Sequence, residues 1–420
     1  MATHLVHVTT VPESLYFVSG QVGFMKANGL HVSGISSPGP YLDRFGAEES
    51  IDTIPAEMPR RITPIKDIGA LVTIWKHLRR LRPDIVHAHT PKGGLLGMLA
   101  AWLARVPVRI YHMHGLPYLT AVGWKRQLLM WSEFVACRMS NRVLCVSRSV
   151  RTVAVEAGLC DPDKIIVLLE GSCNGVDANA RFNPDRLDGQ VRLQVREQYG
   201  IPQDAMVIGF VGRLVKAKGI VELSEAWANI RDQYPATHLL LVGPVETGDP
   251  VPPEVLRRLH EDPRAHLIGE EWDVPPLYRA MDLLVLPTYR EGFPIVLLEA
   301  AAMRLPIVAT QVPGCVDAVR DGETGTLVPA QNSDQLAVAI ARYLEDRVLG
   351  RMHGLAARNR VLREFSEHAM WKAVYEEYQR LLEAQGLRVS TLGLASSNQP
   401  ATSSCSSGTK LDGQGNVAQG

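Results

Sequence analysis

The chain has 420 residues, 46% apolar and 21% charged, with no formal net charge; this is the balance of a soluble globular protein of two or three domains and gives no sign of a nucleic-acid partner. Six cysteines form no CxxC pair and the chain is too long to need disulfide staples, no apolar run reaches the ~18 residues of a membrane span, and the start MATHLVHVTT carries no secretion pattern, so a reduced, cytoplasmic setting is expected. The charge is uneven: residues 1–140 hold fifteen Lys/Arg against nine Asp/Glu, a surplus that suits an acidic ligand or an anionic membrane surface as well as it suits solvated helix faces.

Short apolar runs alternate with helical patterns along the chain, which predicts parallel α/β sheets. In the first half, strands are expected near Leu5–Thr9, His31–Ile35, Asp84–His89, Arg109–Met113, Arg142–Val146 and Ile165–Leu169. Helices fall between them, near Leu15–Asn28, Ile68–Arg82, Leu95–Arg105, Trp124–Ser140 and Ser149–Ala157. Pro83 and Pro107 mark two helix-to-strand joints, because proline cannot continue a helix. A polar stretch, Ala178–Gln203, follows, and then the pattern restarts, with the domain boundary near 178–205. Strands are expected at Met206–Gly212, His238–Gly243, His266–Gly269, Asp282–Pro287, Pro306–Thr310 and Gly325–Val328. A last amphipathic helix, Ser366–Glu383, has Trp371, Val374, Tyr375, Tyr378 and Leu381 at helical spacing. The expected architecture is two tandem Rossmann-like, doubly wound parallel-sheet domains, 1–185 and 186–365, with an interdomain cleft. A helix over 366–386 packs back across the domains, and the Ser/Gly/Gln-rich stretch 387–420 is expected to be a disordered tail.

Ligands of open parallel sheets sit beyond the carboxyl ends of the strands, so the residues after each strand are the candidates. In the first half these include the loop Thr9–Leu15, the loop Thr90–Gly94 with Lys92 as an acceptor-phosphate contact or a solvated cation, and two H-x-H pairs, His87/His89 and His112/His114. A metal reading of the pairs is weighed against buried core histidines, and the core reading is preferred for His87 and His112. Asp161-Pro162-Asp163 has the D-x-D form of a metal site but precedes its strand and reads as a turn. The helix Gly123–Val135 pairs two tryptophans with Lys125 and Arg126: either it lies in a headgroup layer or its apolar residues are a core face. In the second half, Gly212-Arg213-Leu214-Val215-Lys216-Ala217-Lys218-Gly219 offers a glycine turn and cations able to clamp a diphosphate. Pro287–Ala300 reads as strand, glycine turn and helix, with Pro294 at the first helical position. The N–H groups of Gly292 and Phe293 then face a phosphate, Glu291 a sugar, and Glu299, two turns on, a ribose.

Glu291 and Glu299 stand in the E-x7-E spacing, and with Gly212-Arg213-Leu214, Lys218-Gly219, Asn174-Gly175-Val176-Asp177 and Asp321–Gly325 they follow one order. In these motifs residues 4–385 resemble the retaining GT-B glycosyltransferases of family 4, the group 1 class of bacterial polysaccharide biosynthesis. The N-terminal loop departs from the resemblance, since it lacks the Gly-Gly turn many members have there. The resemblance implies that His114 contacts the donor sugar, and it implies retention and no required metal or other cofactor. The expected function is transfer of a hexosyl or N-acetylhexosaminyl group from a UDP-linked sugar nucleotide to a glycan or lipid-linked acceptor. His114, Arg213, Lys218 and Glu291 are the expected catalytic residues; Gly212, Arg213, Lys218, Glu291, Gly292, Phe293 and Glu299 are expected to bind the nucleotide sugar. A sugar-nucleotide epimerase on the same fold and a non-catalytic sugar-nucleotide-binding protein are the alternatives, and intact E-x7-E and clamp residues argue against both.

Overall fold

A computed structural model describes residues 2–389. In the first domain seven strands form one parallel sheet: β1 (Thr3–Val8), β2 (Leu30–Ser36), β3 (Asp52–Pro55), β4 (Ile85–His89), β5 (Val108–Met113), β6 (Arg142–Cys145) and β7 (Ile165–Ile166), in the order β3-β2-β1-β4-β5-β6-β7. The inner strands read as near-continuous apolar runs because helices cover both faces of a parallel sheet. In the second domain β8 (Met206–Val211), β9 (Thr237–Val242), β10 (Ala265–Gly269), β11 (Leu283–Leu286), β12 (Ile307–Thr310) and β13 (Thr326–Val328) pair in parallel in the order β10-β9-β8-β11-β12-β13. Both sheets reverse their winding beside their first strand, and a crevice opens at such a switch point.

Three local differences from expectation have physical causes. The helix expected over Leu15–Asn28 is broken into a 3-10 turn, Pro12–Val18, and a helix, Gln21–Ala27. Gly20 stands between them with φ of +74°, and a Cβ there would come within 2.8 Å of the Trp371 ring. The helix Pro40–Glu49 and the edge strand β3 went unread; β3 is short and largely uncovered, so it carries no apolar run. Pro294 is the residue before the helix Ile295–Ala302 rather than its first member.

Within the described residues the chain crosses between domains twice. The second crossing is at Phe365-Ser366, where Val176 N–H donates to the Phe365 carbonyl at 2.9 Å and a Cβ on Gly175 would strike the same carbonyl at 2.7 Å. Asn174 accepts from Trp371 Nε1 at 2.6 Å and donates to the Ser19 carbonyl at 2.9 Å. The Asn-Gly-Val motif therefore joins the crossover to the last helix, Glu367–Glu383. That helix buries Met370, Val374, Tyr378 and Leu382 in a first-domain core with Leu5, Val22 and Ile110. Each such side chain contributes about 1.5–3 kcal/mol, and Glu377 adds an ion pair to Arg142 at 2.8 Å. The tail expected over 387–420 lies outside the described residues from 390 onward.

Candidate active site

Two loops 70 residues apart in sequence meet because β8 and β11 are hydrogen-bonded neighbours at the switch point. After β8, Gly212 turns the chain with φ of +147°. The 3-10 turn Lys216–Lys218 is pinned by Asp249, whose carboxylate accepts from Ala217 N–H at 2.8 Å and whose carbonyl accepts from Lys216 N–H at 3.0 Å. Gly219 has φ of +74°, and any Cβ there would lie 2.0 Å from the Pro287 carbonyl oxygen. From the β11 side, Tyr289 N–H and the Thr288 hydroxyl both donate to the Ala217 carbonyl, at 2.9 and 3.1 Å.

This clasp sets Lys218 Nζ 2.5 Å from Glu291 Oε1, with only 20% and 12% of the two side chains exposed. Lys216 on the same turn points to solvent and is exposed. Arg213 Nη1 lies 2.6 Å from Glu246 Oε2, and Arg60 of the first domain reaches the other oxygen of that carboxylate at 3.4 Å. The N–H groups of Gly292 and Phe293 donate to nothing among the described residues. Phe293 packs its ring against Phe365, with centroids 5.5 Å apart, and against Gly171 of the first domain.

Glu299 sits on the helix Ile295–Ala302, and its Oε2 accepts from the Tyr278 hydroxyl at 2.8 Å. Burial raises its carboxyl above the ordinary range, opposed by that hydrogen bond and by Arg181. Glu299 is not in hydrogen-bond contact with the Lys218–Glu291 pair.

The first domain meets this site through the turn after β5. A Cβ on Gly292 would lie 1.9 Å from the His114 carbonyl oxygen and 2.9 Å from Gly115 N, so the two domains touch there backbone to backbone. The contact is reinforced nearby: Asp317 of the second domain accepts from the N–H groups of Arg148 and Ser149, at 3.1 and 3.3 Å, at the start of a first-domain helix. His114 is stacked on Phe17, with centroids 4.9 Å apart, and its Nε2 is 3.0 Å from His89 Nδ1. Burial lowers its pKa to about 3, so the imidazole is neutral at physiological pH. The structure thus brings His114, Lys218, Glu291 and Gly292 to one point of the cleft, with Arg213 and Glu299 held by other partners. The first-domain half of this constellation includes Phe17, which the sequence reading passed over, as it did Glu246.

Other candidates fall elsewhere. Lys92 is neither solvated nor free: its ammonium is tied to the carbonyls of Pro59 and Arg61 and to Asp67 at 2.9 Å. His87 and His112 are buried, and His87 Nδ1 is 2.6 Å from the Tyr378 hydroxyl. Asp161 accepts from Asp163 N–H at 3.0 Å in a turn before β7. In the loop Thr9–Leu15 the hydroxyls of Thr9 and Thr10 bond Ser36 and Thr90, both at 2.9 Å. On the helix Gly123–Met139, Trp124 is 73% exposed, Trp131 58% and Phe134 45%, so these rings are not a core face. A cavity of about 420 Å³ lined by Arg192, Arg279 and Arg304 lies on the second domain away from the cleft.

Comparison with known proteins identifies the family. Residues 205–346 match the family described as Glycosyl transferases group 1, and residues 17–171 match the Glycosyl transferase 4-like domain. The chain is 32% identical over 384 residues to the capsular polysaccharide biosynthesis glycosyltransferase CapM of Staphylococcus aureus, covering 91% of this chain and 98% of that protein. It is 29% identical over 310 residues to an Escherichia coli UDP-Gal:alpha-D-GlcNAc-diphosphoundecaprenol alpha-1,3-galactosyltransferase, covering 73% of this chain and 78% of that protein. Among solved structures, a Rickettsia africae glycosyltransferase superposes with a TM-score of 0.74 at 21% identity, over 91% of this chain and 99% of that one. Anabaena HepE in complex with UDP and glucose does so with a TM-score of 0.73 at 20% identity, over 90% and 99%.

Proposed function

This chain belongs to the group 1 glycosyltransferases of bacterial polysaccharide biosynthesis, on the two-domain GT-B fold, and from there we propose that it transfers a hexosyl or N-acetylhexosaminyl group from a UDP-linked sugar to a lipid-linked or glycan acceptor, with retention. The observation that carries the proposal is the junction where Lys218, Glu291 and Gly292 of the second domain meet His114 of the first. A relative named for UDP-galactose and a diphosphoundecaprenol acceptor, and a structural neighbour solved with UDP and glucose, support the choice of donor and acceptor.

In this reading the nucleotide lies on the second domain. Departure of the diphosphate builds negative charge on its oxygens, and charges already positioned there stabilise the transition state more than the ground state. Lys218 is the nearer cation. Its present partner, Glu291, then turns to the sugar hydroxyls while the ammonium takes a phosphate oxygen. Arg213, held by Glu246, supplies a forked donor that the diphosphate competes for. The free N–H groups of Gly292 and Phe293 add two neutral donors at the start of the helix Ile295–Ala302. Glu299 accepts from ribose hydroxyls beside Tyr278. His114, neutral, gives or takes one hydrogen bond at the sugar from the first domain. Charge neutralisation by Lys and Arg makes a divalent metal unnecessary to the transfer. The exposed rings Trp124, Trp131 and Phe134, with Lys125 and Arg126 beside them, support a reading in which the first domain lies against an anionic bilayer where a lipid-linked acceptor is presented.

The donor is tested by a thermal-shift screen of sugar nucleotides. A ligand at 100 times its dissociation constant stabilises by about 2.7 kcal/mol, and a UDP-sugar should give the largest shift. A guanosine- or adenosine-linked sugar shifting the melt more than any UDP-sugar would overturn the assignment of the nucleotide.

A further inference from the structure

We propose that His89, His112, His114 and Cys173 form a closed three-nitrogen, one-sulfur site for a zinc-type divalent cation where the first domain floors the cleft. The four offer donor atoms that all lie within 4.8 Å of one another. A tetrahedral ion, with bonds of about 2.0–2.1 Å to nitrogen and 2.3 Å to sulfur, spaces its donors about 3.3–3.6 Å apart. Two separations bracket that value: His114 Nε2 is 3.0 Å from His89 Nδ1 and 4.0 Å from Cys173 Sγ. Small side-chain rotations close the set.

The fold holds these donors together rigidly. His89 ends β4 and stands in register with His112 on β5, so neighbouring parallel strands set two ligands side by side. His114 follows one pleat later, and Cys173 arrives on the loop after Gly171, which has φ of +100°. Nδ1 of His112 is buried with no hydrogen-bond partner among the described residues; a buried ring nitrogen left so is a feature that calls for a partner. An outer shell is present as well. With Nδ1 of His89 on the ion, its proton sits on Nε2 and donates to His7 Nδ1 at 3.0 Å, the kind of second bond that fixes a ligand's tautomer. On binding, the Cys173 thiol releases its proton and the thiolate becomes the sulfur ligand.

The ion is not a cofactor of the transfer. An ion on His114 Nε2 leaves only Nδ1–H to face the donor sugar and fixes the ring in the orientation the ion requires, so occupancy slows the transfer. That consequence rests on the proposed contact of His114 with the donor sugar; the binding of the ion does not.

Cobalt(II) is the probe for binding, because a tetrahedral thiolate-bound cobalt absorbs intensely in the visible and adds a sulfur-to-metal charge-transfer band. The full chain, stripped by chelator, is titrated with cobalt. One equivalent should produce both features, zinc should displace it, and Cys173→Ser should lose the charge-transfer band while keeping its melting temperature and its rate in EDTA. Zinc should slow turnover of the wild type and spare Cys173→Ser. Absence of stoichiometric cobalt binding, or an unchanged spectrum in Cys173→Ser, overturns the site. His112→Gln, on a different strand, should weaken cobalt binding independently; undiminished binding in that variant overturns the ligand set. Cobalt binding with the expected spectrum but no inhibition by zinc keeps the site and instead overturns the role of His114 at the sugar.

Discussion

Gly292→Ala isolates the contact between the two domains. Gly292 does not use a left-handed φ, so alanine fits its backbone, and the substitution keeps the N–H expected at the phosphate. The obstacle is the other domain: the new Cβ would meet the His114 carbonyl oxygen at 1.9 Å, against the 3.4 Å at which contact becomes ordinary. The neighbours are backbone atoms of His114 and Gly115 and of no flexible side chain, so relief requires the domains to part by about 1.5 Å at this point. A displacement of roughly 1 Å at reacting groups costs on the order of 100-fold, about 2.7 kcal/mol of barrier. The expected outcome is a fall in kcat of that size, read by release of the nucleoside diphosphate at saturating donor. Donor affinity, read by thermal shift, should change little because the Gly292 N–H is kept and Lys218, Arg213 and Glu299 are untouched. A variant that keeps its kcat within about threefold, against the ~100-fold expected, would show that turnover does not need this junction.

Arg213→Ala and Lys218→Ala should each lower kcat by at least about tenfold, since each removes a charge that gains value as the diphosphate leaves; Lys216→Ala should not, and steady-state kinetics naming Lys216 as the critical lysine would reassign the clamp. Glu299→Gln should weaken donor binding with the fold intact, because an amide is no longer acceptor-only toward two ribose hydroxyls; a 2′,3′-dideoxy donor that binds the wild type as well as the normal donor would refute the ribose role. Anionic liposomes should sediment the wild type at low salt and release it at high salt, each cation near the surface contributing about 1 kcal/mol, and Lys125→Glu/Arg126→Glu should stay in solution; equal pelleting of the double variant would leave Trp124 and Trp131 without a membrane role.

The two-sheet architecture was legible because apolar runs bounded by glycine and proline mark buried parallel strands, and the site loops were legible because each follows such a strand. What failed depended on contacts the local pattern does not encode. Gly20 breaks a helical pattern because Trp371, 351 positions later, occupies the space of a Cβ. Lys92 looked free in its loop, yet the carbonyls of Pro59 and Arg61 and the carboxylate of Asp67 enclose its ammonium. The pairing of Arg213 with Glu246 arises from a loop after β9, which lies beside β8 only once the sheet order is known. The histidine cluster was half visible: two H-x-H pairs on adjacent strands imply His89 beside His112, but His7 and Cys173 join them through tertiary packing alone. The exposure of Trp124, Trp131 and Phe134 takes these rings out of the core, which helical periodicity could not tell.

The central claim, sugar transfer driven by protein cations, is tested most directly by incubating the enzyme with a UDP-sugar in EDTA, with and without a pool of lipid-linked and glycan acceptors, and following donor and products by mass spectrometry. The account predicts release of UDP that depends on acceptor, an acceptor product heavier by one sugar residue, and no loss of rate to the chelator. Conversion of the donor to an isomeric sugar nucleotide, donor consumption indifferent to acceptor, or activity that returns only on adding magnesium or manganese would contradict it.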